Sequence, residues 1–97
     1  MSVRAKFSCD KIESSQITSG YEKDSDGRED YKKPIRVELR TIHLNPVYAN
    51  NDPNHENSKF WKASPSGGMT LGTVNPEAWK HFELGKEYYI DFTPAAA

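Results

Sequence analysis

Apolar and polar residues alternate at both ends of this chain, and that period of two limits its fold more than any other feature. Near the start, Val3, Ala5, Phe7 and Cys9 alternate with Arg4, Lys6, Ser8 and Asp10. Near the end, Tyr88, Ile90 and Phe92 alternate with Tyr89, Asp91 and Thr93. Successive side chains of a strand project to opposite faces, so each segment reads as a strand with one wet face. Strands are expected at about residues 2–13 and 86–93, the latter central to the core because of its aromatic density.

Between them the pattern is less regular. After Pro34, the residues Ile35, Val37 and Leu39 alternate with Arg36, Glu38 and Arg40, and the apolar phase then slips by one to Ile42 and Leu44. Such a slip predicts a bulge or sharp bend near Arg40 to Ile42, with Val47 and Tyr48 closing the second strand. Residues 14–33 are Ser, Thr, Gly and mixed charge around the turn signal Asp24-Ser25-Asp26-Gly27. They read as an exposed loop or a hairpin arm, and unstructured connections of that length in small domains are often contact elements. Asn50 to Asn54 is a loop leading to at most two turns of helix within Glu56 to Lys62. Met69 to Val74 resumes a strand. Asn75 then suits an N-cap, Pro76 the first helical position and Glu77 the positive end of the dipole, with Ala78, Trp79 and Phe82 as the apolar side and Gly85 as the stop.

The order predicts a mainly β, β-rich α+β chain: a small antiparallel barrel or sandwich with one short helix before the last strand, residues 1–97 forming a single domain. At 97 residues the core is small, and the hydrophobic fraction of 35% is low; two Trp, five Tyr and four Phe supply the burial. Most rings are therefore expected inside, with Trp61 and Tyr89 the expected exposed exceptions. The formal net charge of -1 lacks the footprint of a dedicated nucleic-acid binder. The lone Cys9 cannot form an intramolecular disulfide and reads as a half-buried strand residue. No apolar run reaches the roughly 18 residues of a membrane helix, and the first residues lack a signal-peptide hydrophobic region, so synthesis in a cytoplasm without a membrane partner is expected.

No motif carries chemistry. His43, His55 and His81 are too far apart for a metal site read from spacing. The acidic run from Asp24 to Asp30 lacks the ligand spacing of a calcium loop and holds Arg28 among its positions. No Gly-x-Ser-x-Gly elbow exists, and Gly67-Gly68 runs into Met69 and a strand, not into a phosphate-binding helix. A non-enzymatic protein without metal or cofactor is expected.

The segments Phe60-Trp61-Lys62-Ala63-Ser64-Pro65-Ser66-Gly67 and Gly85-Lys86-Glu87-Tyr88-Tyr89-Ile90-Asp91-Phe92-Thr93, with Leu71, Asn75-Pro76 and the opening Val3-Arg4-Ala5-Lys6-Phe7, resemble a family of small proteins encoded by tailed bacteriophages. The resemblance covers about half the chain; residues 14–33 depart from the shorter connection expected there, and no catalytic residues carry over. It implies a phage origin and not a mechanism; with a rigid β domain whose extended loops can bridge subunits, the expected role is a phage accessory structural protein, a capsid decoration or cement protein located in the virion. Its partners would be the major capsid protein or further copies of itself. The alternative is a binding module in the host cytoplasm, either an OB-like single-strand nucleic-acid binder or an inhibitor of a host protein. The candidate partner-binding residues are Tyr21, Arg28, Tyr31, Asn51, His55, Trp61 and Tyr89, on the arm, the 50–57 loop and the exposed aromatics.

Overall fold

Two long strands dominate the computed structural model, which describes residues 3–50 and 52–96. Strand β1 runs Val3–Lys23 and β2 Glu29–Pro46, antiparallel from Phe7↔Pro46 to Lys23↔Glu29. The short strand β3, Met69–Thr73, pairs with β2 at Arg40 to Leu44, and β4, Glu87–Phe92, pairs with β1 at Val3 to Ser8. The result is one antiparallel sheet in the order β3-β2-β1-β4.

The fold is β-rich as expected, but the sheet is neither a closed barrel nor a sandwich. With five and six residues, β3 and β4 reach only the base of the long hairpin, on opposite sides, so nothing can join the outer edges. Two helices lie on the body: α1, Glu56–Trp61, and α2, Pro76–Trp79. Asn75 caps α2 by accepting from Glu77 N–H at 3.0 Å, but the helix ends at Trp79, ahead of Phe82 and Gly85.

One face of the sheet carries the core. Ala5, Phe7, Cys9, Ile42 and Leu44 are buried there, with Ile12, Trp61, Met69, Trp79, Phe82, Tyr88 and Ile90 packed around them. Cys9 is fully buried, beyond the half-burial expected. A bulge at Asp10, between Cys9↔Leu44 and Lys11↔His43, returns Ile12 to that face despite its even number.

No bulge occurs at Arg40 to Ile42. Pairing there is continuous with β1 on one side and β3 on the other. The slip in apolar phase therefore marks a change of face: Ile42 and Leu44 point to the helix-covered side, while Leu39, Val37 and Ile35 point to the opposite one. Leu39 confirms it, since its Cδ1 lies 3.5 Å from where a Cβ on Gly72 would sit, and Gly72 pairs with Thr41 on that same opposite face.

Candidate functional site

Residues 14–33 are hairpin, not irregular loop. Ser14 to Thr18 pair regularly with Arg40 to Arg36, and two register shifts then carry the strands to Tyr21↔Pro34 and Lys23↔Glu29. Asp24 builds the tip: its carbonyl accepts from Gly27 N–H at 3.0 Å, and its Oδ1 accepts from Asp26 N–H at 2.9 Å and Arg28 N–H at 3.0 Å. Gly27 has φ 79°, which turns the chain into β2. Ten residues of β1 beyond Glu13 make an arm about 34 Å long. The molecule measures 64 × 35 × 20 Å, and its radius of gyration is 19.2 Å against about 13 Å for a compact chain of this length.

Among the described residues, no layer covers the arm beyond its root. Its helix-side face presents Ser14, Gln16 and Thr18 with Arg36, Glu38 and Arg40, stitched by Ser14 Oγ donating to Glu38 at 2.6 Å and Arg40 Nε donating to the same oxygen at 2.9 Å. Trp79 lies over the Arg40 guanidinium at 4.7 Å and closes that face at the root. The opposite face presents Ile17 paired with Val37, then Leu39 and Ile35. Charge is divided along the arm. Residues 22–30 hold Glu22, Asp24, Asp26, Glu29 and Asp30 against Lys23 and Arg28, a net of -3; residues 31–40 hold Lys32, Lys33, Arg36 and Arg40 against Glu38, a net of +3.

The candidate residues fall in three separate places. Tyr21 and Tyr31 meet edge-on at 4.9 Å near the tip, with Tyr31 73% exposed, and Arg28 is exposed beside them in the turn. His55 caps α1, its Nδ1 accepting from Asn57 N–H at 3.0 Å. Trp61, expected to be exposed, is half-buried: its ring meets Phe7 at 6.1 Å and its Nε1 donates to Ser66 O at 3.1 Å. Asn51 lies outside the described residues.

Tyr89 is 51% exposed on the sheet face away from the core, between Arg4 at 4.8 Å and Lys6 at 5.2 Å. Both cations already have partners. Arg4 forks onto Asp91 at 2.7 and 3.1 Å and holds that carboxyl below its usual range, and Lys6 stands 3.7 Å from Glu87.

Asn57 gave no signal in the sequence. Its side chain is fully buried where β2 peels away from β1: Oδ1 accepts from Lys6 N–H at 2.7 Å, and Nδ2 donates to Lys6 O at 2.8 Å and Val47 O at 2.7 Å. Val47 N–H still donates to Lys6 O at 3.2 Å, and the Asn57 amide bridges the Lys6 N–H and Val47 O that no longer meet, anchoring α1 to the sheet. Its place in the folded edge, and no local sequence pattern, sets it apart.

Among the described residues no cluster of three His, Cys, Asp or Glu could hold a metal, and no helix is long and apolar enough to cross a membrane. Ser58, lining the open cleft beside Tyr48 and Pro65, donates its hydroxyl to Asp52 O at 2.6 Å and has no His or carboxylate hydrogen-bonded to it. Comparison with family models, curated proteins and solved structures finds no match to this chain.

Proposed function

We propose that this chain is a non-catalytic structural protein that binds a particle surface through its hairpin arm, and specifically that it decorates the capsid of a tailed bacteriophage. The observation that carries the reading is the arm itself: a paired hairpin standing clear of the body, with both faces uncovered along its outer part. An isolated two-stranded hairpin is at best marginally stable in water, so an arm of this length is best explained by a surface that completes it. An extended element of about 34 Å can span the junction between two subunits, and many copies on one shell turn modest contacts into strong avidity.

The groups near its tip, exposed Tyr31 and Arg28 with half-buried Tyr21 against the Tyr31 ring, suit a protein contact, where aromatic and Arg side chains are enriched. The phage setting comes from the resemblance of the segments around Phe60 to Gly67 and Gly85 to Thr93. The nucleic-acid alternative rests on Tyr89 between Arg4 and Lys6, and it is disfavoured because each cation already faces a carboxylate. The reading is tested by mass spectrometry of washed virions from the source phage. A copy number close to that of the major capsid protein is expected; absence from the particles would reject decoration and direct the search to host-cell partners.

A further inference from the structure

We infer that the apolar face of the arm is an interface between two copies of this chain. Ile35, Val37 and Leu39 stand at alternate positions of β2 with Ile17 opposite Val37, and they form a continuous stripe on the face opposite the core. Ile17 and Ile35 are 37% and 41% exposed. The stripe begins where the core stripe ends, at the phase slip between Leu39 and Ile42, so the chain presents two apolar faces in succession and covers only the first.

Area and charge argue for a second copy as the occupant. The surface of 7312 Å² exceeds the roughly 5,600 Å² of a compact 11.0 kDa monomer by about 1,700 Å², and a specific interface removes about 800 Å² from each partner. Two arms stacked face to face about a two-fold axis bury stripe against stripe along a ribbon about 34 Å long and about 10 Å wide, a contact at the small end of the specific range. The charges of -3 and +3 along residues 22–40 cancel, so two arms meet without net repulsion, and antiparallel stacking keeps the two acidic tips apart. A sheet face laid on a sheet face also supplies the second layer that a lone hairpin lacks.

This pairing stands independently of the particle reading, since it requires only the chain itself. Sedimentation of the purified protein at about 100 µM, a concentration suited to an interface at the small end of the specific range, is expected to give twice the 11.0 kDa of one chain. Val37→Asp and Ile17→Lys are each expected to give monomer with an unchanged far-ultraviolet dichroism spectrum, whereas Thr18→Asp on the other face leaves the dimer intact. A monomeric wild type would overturn the inference whatever the variants do. So would a dimer that survives both apolar-face substitutions, since its interface would lie elsewhere.

Discussion

Asn57 and Cys9 show how few side chains hold the body together. Replacing the buried Asn57 by Leu would leave the part-buried Lys6 N–H and Val47 carbonyl without their partner beside an apolar side chain, which costs about 1–3 kcal/mol per unsatisfied group. Asn57→Leu is therefore expected to lose about 3 kcal/mol in urea unfolding, while Ser19→Ala on the exposed arm changes stability by less than about 0.5 kcal/mol. Equal losses would show that the amide is not the anchor.

Cys9 is sealed under the core, and burial pushes its thiol above the ordinary value. It should resist a water-soluble thiol reagent in the native protein and react at once in denaturant; rapid native labelling would contradict its burial. Several exposed or half-buried carboxyls are held low: Asp91 by its hydrogen bond from Arg4, Glu13 first by His43, Glu38 first by Ser14, and Asp10 first by Ser8. A depressed folded pKa adds stability that is present above the unfolded value, about 3.9–4.3, and is lost as pH falls through the folded value. The urea midpoint is accordingly expected to fall progressively below about pH 4, by a modest amount because these pairs are solvated. A midpoint that held or rose from about pH 4 to 2.5 would contradict these pairings.

At the scale of elements, the hairpin separates into a body supported on both sides and an arm supported by its own ladder. Gly27 at the tip has φ 79° and open space around it, so Gly27→Ala meets no clash and pays only for the backbone conformation, about 1 kcal/mol. Hydrogen exchange should then accelerate at the amides flanking the tip while those of Phe7, Cys9, Ile42 and Leu44 stay protected; uniform acceleration would mean that arm and body unfold as one unit. The body strands were legible because burial on one face imposes strict alternation. The arm was only half legible, since its β1 side, Ser14 to Gly20, carries a single apolar residue, Ile17, and pairing of polar backbone leaves no pattern in side chains. The slip at Leu39 to Ile42 was visible but misread: a bulge and a change of covered face leave the same trace in one strand, and only the pairing with β1 and β3 separates them. Trp61 illustrates the same limit at the candidate site, because its burial depends on where α1 docks and not on its local sequence.

The whole molecule is a small core with a long lever attached. Five buried apolar side chains lie beneath the helices at one end, and the 64 Å length comes from the hairpin that leaves them. A chain built this way exposes more surface than its mass requires, which fits a protein whose burial is completed in an assembly. The most direct test of the proposed decoration role is the amount of this chain on washed particles of a phage that encodes it, measured by quantitative mass spectrometry for the wild type and for a tip variant combining Arg28→Glu with Tyr31→Ala. Wild-type copies close in number to the major capsid protein are expected, with a loss of at least about tenfold for the variant, the effect of removing more than about 1.4 kcal/mol of contact. Absence of the wild type, or a variant retained at the wild-type level, would contradict that role.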